Sequence, residues 1–249
     1  MSQLNLNITK IQQQIRTAVE RVGRDVDEIT LVAVTKAHPV ELHFEAYKAG
    51  LRHFGENRVH EFTTKIPAFA DWFTTFGDYP VVWHFIGHIQ SRQVGTVLAS
   101  QPNLFHALDS VKLAQRIERI ATREGYQPLT VLLQCNVSGE ASKSGFPLYN
   151  WQNDENQLDE FVAQVKQIVA LPHIIIAGLM TMAPYSDDPE EARPTFQSLA
   201  ELQKHLQYLL PTVDWHHLSM GMTNDFEVAI EEGATIVRVG RALFGERTR

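Results

Sequence analysis

The chain is 249 residues long, enough for one large domain or two small ones. Its 22 Lys and Arg face 29 Asp and Glu, a formal charge of −7, and no basic block or stripe marks nucleic acid as a partner. A single cysteine, Cys135, excludes an intramolecular disulfide and fits a reducing, cytoplasmic setting. No signal-peptide pattern opens the chain, and no apolar stretch has the length of a membrane span.

Ile8, Ile11, Ile15, Val19 and Val22 recur at three- and four-residue steps, which predicts an amphipathic helix over 8–22 stopped by Gly23. From there the pattern alternates. The β-branched run 29–35 predicts a buried parallel strand, and a helix over 40–49 follows it and ends at Gly50. A short strand over 52–56 leads into a helix starting near Asn57. Strand 81–87 precedes a helix over 91–98. Strand 104–108 precedes a helix reaching about Glu124, with N-cap chemistry from Asp109 and Ser110. Strand 129–137 gives way to 138–156, which is rich in Gly, Ser and Asn and reads as a mobile loop. A helix over 158–170 and a strand over 174–181 come next. A long helix is opened by Asp187-Asp188-Pro189-Glu190 and ended near Leu210-Pro211. Strand 215–219, a helix over 225–232 stopped by Gly233, strand 235–239 and a short helix or turn at 241–244 complete the series.

Eight strands, each followed by a helix, predict an α/β fold: a single closed (β/α)8 TIM barrel over 1–249, with an extra N-terminal helix that plugs or flanks it. A doubly wound open sheet is the alternative.

A barrel carries its ligand at the carboxyl ends of its strands. Those ends read Thr35-Lys36, Glu56-Asn57, His84-Phe85-Ile86-Gly87-His88, Asp109-Ser110, Asn136, Met180-Thr181, Ser219-Met220-Gly221 and Arg238-Val239-Gly240. Polar residues gather there while the strand bodies are apolar. Lys36 stands out, because lysine seldom closes a buried strand. Held half out of water, its amine is biased toward the neutral, nucleophilic form that makes a Schiff base with a carbonyl. The plainer reading is a lysine that snorkels to solvent.

Ser219-Met220-Gly221-Met222-Thr223-Asn224-Asp225 and Val239-Gly240-Arg241 set hydroxyls and glycines before helix starts. That is the chemistry of a phosphate site, and equally of ordinary N-capping. A lysine and a phosphate cradle on one barrel mouth would hold a phosphorylated aldehyde. Arg238 shares a face with Ile236 by alternation, so it points into the barrel and needs a partner there. A pyridine nitrogen would serve, as would an internal acid such as Glu56. His84 and His88 straddle a strand end, and His216 and His217 point to opposite faces, so no metal site is expected. Cys135 reads as core. The segment 139–145, with Lys143, reads either as a lid or as a plain surface loop.

Seven blocks then fall in order along nearly the whole chain: Leu31-Val32-Ala33-Val34-Thr35-Lys36; Phe54-Gly55-Glu56-Asn57; Trp83-His84-Phe85-Ile86-Gly87-His88-Ile89-Gln90; Asn136-Val137-Ser138-Gly139-Glu140 with Lys143-Ser144-Gly145; Gly178-Leu179-Met180-Thr181-Met182; Leu218-Ser219-Met220-Gly221-Met222-Thr223-Asn224-Asp225-Phe226; and Val237-Arg238-Val239-Gly240-Arg241-Ala242-Leu243-Phe244-Gly245. On these the chain resembles the pyridoxal phosphate homeostasis protein family. The resemblance implies a barrel similar to the N-terminal domain of alanine racemase. It implies pyridoxal 5'-phosphate (PLP) held as a Schiff base on Lys36, with the phosphate on Ser219, Thr223 and the backbone near Gly221 and Gly240. Arg238 would meet the ring nitrogen, and Asn57, His84 and Met180 would line the pocket. It implies no catalytic residue. The family acts in vitamin B6 and amino-acid homeostasis by buffering or delivering PLP, which makes apo PLP-dependent enzymes the expected protein partners.

Two rivals remain. An amino-acid racemase needs an acid/base group on each face of its substrate. Alanine racemases take the second from a further domain of a partner subunit. That domain is missing from a chain ending at Arg249, and a monomer is therefore expected. A lysine-dependent aldolase without a cofactor would share the lysine and the phosphate cradle.

Overall fold

The structure, a computed structural model, describes residues 2–76, 79–140 and 143–245. Its strands are β1 (Thr30–Val34), β2 (His53–Glu56), β3 (Val82–Phe85), β4 (Leu104–Leu108), β5 (Leu129–Asn136), β6 (Phe146–Pro147), β7 (Ile174–Met180), β8 (His217–Ser219) and β9 (Ile236–Val239), of which β1, β7 and β9 are the β-branched apolar runs of a sheet covered on both faces. All but β6 join one ring in the order β1-β2-β3-β4-β5-β7-β8-β9, and every neighbour pair is parallel. The ring closes through β1 and β9, where Thr30 is level with Ile236 and Val32 with Arg238. This is the expected (β/α)8 barrel rather than the open sheet.

The helices are α1 (Gln3–Arg21), α2 (Val40–Lys48), α3 (Val59–Phe76), α4 (Val94–Ala99), α5 (Val111–Glu124), α6 (Glu155–Val169), α7 (Arg193–Leu209), α8 (Phe226–Glu231) and α9 (Arg241–Phe244). Their starts follow local capping chemistry. The Ser110 hydroxyl accepts the Leu113 N–H, and the Asp154 carboxylate accepts those of Asn156 and Gln157. Aromatic packing fixes the helix layer to the ring. Phe62 meets Phe85 edge-on at 5.2 Å, and Phe69 meets Trp83 at 5.6 Å. Each ring so buried contributes about 2–3 kcal/mol.

The extra helix α1 flanks the barrel against α8 and α9 rather than plugging it. Asn7 donates to the Leu243 carbonyl at 2.8 Å, and Arg21 bridges Glu227 and Glu231. The stretch predicted as a loop over 138–156 holds the two-residue strand β6, level with Cys135 and Asn136 of β5. Leu148 and Trp151 of this stretch are buried, and Trp151 Nε1 donates to Ser198 Oγ at 2.9 Å. Of the segment read as lid or loop, residues 141 and 142 lie outside the described residues. Lys143 Nζ donates to the Met182 carbonyl at 2.9 Å. The long helix expected from Asp187 begins as a 3-10 turn, Pro189–Ala192, and becomes α-helical at Arg193.

Candidate functional site

β1 stops at Val34 because the next three residues turn. Thr35 is fully buried, Lys36 is half-buried, and Ala37 takes the left-handed conformation at φ 63°. Within β1, Val32 and Val34 share one face by alternation, and the turn carries Lys36 at the carboxyl end of that strand. The peptides on both sides of Lys36 are held by one face of α3, where Glu61 and Lys65 stand one turn apart. Lys65 Nζ donates to the Thr35 carbonyl at 2.9 Å, and Glu61 Oε2 accepts the Ala37 N–H at 2.6 Å. Lys65 also bonds Glu61 and Glu56, each at 2.7 Å, and Glu56 Oε1 accepts the Thr35 hydroxyl at 2.7 Å. Burial alone would raise the Glu61 carboxyl. Bonds from Lys65 and the Ala37 N–H outweigh it and hold that carboxyl below the usual range.

Glu56 is thereby engaged in the layer between barrel and helices, which answers one question about Arg238. The internal ion pair with Glu56 does not form. Arg238 is buried inside the ring, donating through Nη1 to Ser219 Oγ at 2.6 Å and through Nη2 to the Thr181 carbonyl at 3.0 Å. Burial pulls its pKa down to about 10, against the charge of Asp225, and it is still a cation at neutral pH. Both of these hydrogen-bond partners are neutral, so a guanidinium N–H face is left for a further acceptor.

Glycines bring the backbone close at the same mouth. Gly221 has φ 91°, and a Cβ there would stand 2.6 Å from Ala229 Cβ and 2.9 Å from Phe226 Cα. A Cβ on Gly240 would lie 3.0 Å from the Val34 carbonyl oxygen, two residues before Lys36. Thr223 is half-buried, and Asp225 Oδ1 accepts the Met222 N–H at 2.6 Å, fixing the turn between them. Burial raises the Asp225 carboxyl despite that bond and the charge of Arg238.

The remaining expected residues divide. Met180 is buried level with Ser219 in the β7–β8 register. Asn57 follows β2, and its Oδ1 is a buried acceptor without a hydrogen-bond partner among the described residues. An acceptor left so costs about 1–3 kcal/mol, so it marks a place for a donor. His84 lies deep in the ring at 2 % exposure, where its two nitrogens meet His53 Nδ1 at 3.0 Å and His106 Nε2 at 2.9 Å. His106 Nδ1 in turn meets Ser219 Oγ at 2.9 Å. The Ser219 hydroxyl, expected to face a phosphate, thus has two partners inside the barrel.

Sequence reasoning missed His53, His106, Glu61 and Lys65, and named Thr181 only as a strand end. His106 left a signal, a lone polar residue inside the apolar run Leu104–Leu108. Glu61 and Lys65 left only helical spacing, which surface pairs share.

The donor set suits a planar, phosphorylated aldehyde. Lys36 offers an amine, Arg238 offers N–H groups to a ring nitrogen, Asn57 offers an unused carbonyl, and two glycine turns let backbone N–H groups approach an anion. Fold and site define a parallel barrel of the alanine racemase type. The family model for the alanine racemase N-terminal domain matches residues 6–248. The pyridoxal phosphate homeostasis protein of Aquifex aeolicus is 40% identical over 96% of both chains. That of Escherichia coli K12 is 37% identical over 99% of this chain and 98% of its own. PipY of Synechococcus elongatus, in a structure described as having PLP bound, superposes with a TM-score of 0.79 at 30% identity, covering 98% of this chain and 100% of PipY. Alanine racemase of Clostridium difficile shares the fold alone, at 15% identity, a TM-score of 0.65 and 57% of its length. The chain belongs to the pyridoxal phosphate homeostasis protein family.

Proposed function

We propose that this chain binds PLP as a Schiff base on Lys36 and serves intracellular PLP and amino-acid homeostasis, as a reservoir from which apo PLP-dependent enzymes are supplied. The observation that carries the reading is the half-buried Lys36 sharing one barrel mouth with a buried arginine whose hydrogen bonds, among the described residues, go to the neutral Ser219 hydroxyl and Thr181 carbonyl. The PipY structure with PLP bound, on a barrel 30% identical, supports the same ligand.

PLP supplies an aldehyde that a primary amine captures reversibly. The chain's own part is positional. Lys65 and Glu61 grip the peptides around Lys36 and set the height of its amine. Thr223 and the backbone near Gly221 and Gly240 take the phosphate. Ser219 stands beneath them as a bridge to Arg238, so that its hydroxyl serves the arginine before the phosphate. Arg238 donates to the ring nitrogen. As a cation it disfavours a proton there, so the ring withdraws electrons weakly, which suits storage better than carbanion chemistry. Asn57 and Met180 border the pocket, with His84 below its floor. No group is assigned a catalytic role, and the chain acts as a monomer.

The test is spectroscopic. The protein mixed with PLP is expected to gain a near-visible band that borohydride bleaches, and Lys36→Ala is expected to lose it. A Lys36→Ala protein with the full band removes Lys36 from the reading. A wild type that stays colourless removes PLP.

A further inference from the structure

We propose that Ser219, His106, His84 and His53 form one directed hydrogen-bond chain through the barrel that positions Arg238 and links it to the opposite mouth. Arg238's role toward a ring nitrogen rests on the function proposed above, whereas the chain itself does not. Barrel interiors are ordinarily filled by layers of branched apolar side chains. Here four polar residues replace them in an unbroken line. Arg238 Nη1 to Ser219 Oγ is 2.6 Å, Ser219 Oγ to His106 Nδ1 is 2.9 Å, His106 Nε2 to His84 Nδ1 is 2.9 Å, and His84 Nε2 to His53 Nδ1 is 3.0 Å. The line starts at the carboxyl end of β8 and crosses to β4. It then descends through β3 to His53, the half-buried first residue of β2.

Chemistry allows this line only two states. Burial holds all three imidazoles below their usual pKa, His84 at about 3, so each is neutral, with one N–H donor and one acceptor. A neutral ring that accepts on one side must donate on the other, so all three point the same way. Either all carry the proton on Nε2 or all carry it on Nδ1. Arginine can only donate, so Ser219 Oγ accepts from Arg238. Among the described residues Ser219 Oγ has two partners, Arg238 and His106. If it accepted from both, its own buried proton would have none, at a cost of about 1–3 kcal/mol. Ser219 therefore donates to His106, and His106, His84 and His53 all carry Nε2–H. Every dipole then turns its negative end toward the guanidinium, and chained bonds of this kind strengthen one another. His217 of β8 adds to the resistance of His84 and His106 to protonation, and Asp225 faces Arg238 from the start of α8.

The consequence is coupling. The line gives the buried cation a neutral hydrogen-bond partner in place of a directly bonded carboxylate, which keeps the other N–H groups of Arg238 available to a ligand. A change at either end alters the tautomers at the other. Nitrogen-15 NMR of ligand-free protein reads this directly. The wild type is expected to show Nε2–H at all three histidines, and Nδ1–H at His84 or His106 overturns the chain. Ser219→Ala removes the donor that sets the direction and is expected to bring the Nδ1–H form into His53, three links away. An unchanged His53 overturns the coupling. Should that variant fail to fold, His53→Phe alters the accessible end instead, and the Nδ1–H form is then expected in His106, two links away. An unaltered His106 again counts against the coupling. In the same His53→Phe protein, PLP titration is expected to show about fivefold weaker binding with the borohydride-sensitive band retained. Equal affinity severs the chain from Arg238's ligand role. A wild type that takes up no PLP sinks the functional reading, and the tautomers still decide the chain.

Discussion

Lys65 is the residue on which the geometry around Lys36 turns. It is 7 % exposed, and its ammonium meets two carboxylates and the carbonyl just before Lys36. Removing one partner of a buried ionic cluster leaves the others uncompensated, at about 3–5 kcal/mol. Lys65→Met is therefore expected to lower stability by that order in urea unfolding, and to weaken PLP retention beyond what a stability loss alone explains. Lys65→Arg should restore part of the stability. PLP retention unchanged in Lys65→Met would show that the turn holds Lys36 without α3. The phosphate side gives a milder expectation. Thr223→Ala removes one hydroxyl donor to a charged group, about 1.5–3 kcal/mol, or roughly tenfold or more in PLP affinity. Equal affinities would take Thr223 out of the site.

At the scale of elements, Gly221 explains why β8 and α8 meet so closely. Its φ of 91° disfavours any side chain, and a Cβ would overlap the first turn of α8 at Ala229 and Phe226. Strain and overpacking together put Gly221→Ala at about 2–4 kcal/mol destabilising, measured by thermal or urea unfolding. A loss under 1 kcal/mol would mean the turn relaxes freely. The elements themselves were largely legible. Strands covered on both faces must be apolar runs, and Ile29 to Thr35 or Leu104 to Leu108 admit little else. β6 was not legible, because two residues carry no period and its pairing to Cys135 and Asn136 is tertiary. The site was legible where a residue type is out of place for its position, as with Lys36 and Arg238. It was not legible where the meaning lies in distance. Nothing in the spacing of His53, His84 and His106 says that three strands bring them into one line. Nothing in the composition of α3 separates Lys65 from a surface lysine.

For the whole molecule, that buried line predicts how the fold responds to acid. His84 titrates at about 3 in the folded state, and His106 also lies well below its usual value, chiefly through burial. The unfolded chain binds these protons near pH 6.5, so between there and the folded values it takes up protons that the fold refuses. Stability from these groups is complete above about pH 6.5 and declines as the pH falls below it. From pH 7 to pH 5 the loss is about 2 kcal/mol for His84, and His106 adds a loss in the same direction. Carboxylates held low, such as Glu61, add their own loss mainly below about pH 5, so the histidines dominate the upper part of this window. Urea unfolding at several pH values in it is expected to show stability falling steadily toward acid. A flat profile would mean that His84 and His106 accept protons inside the barrel, and a protonated imidazole has no acceptor nitrogen to offer the serine that holds Arg238.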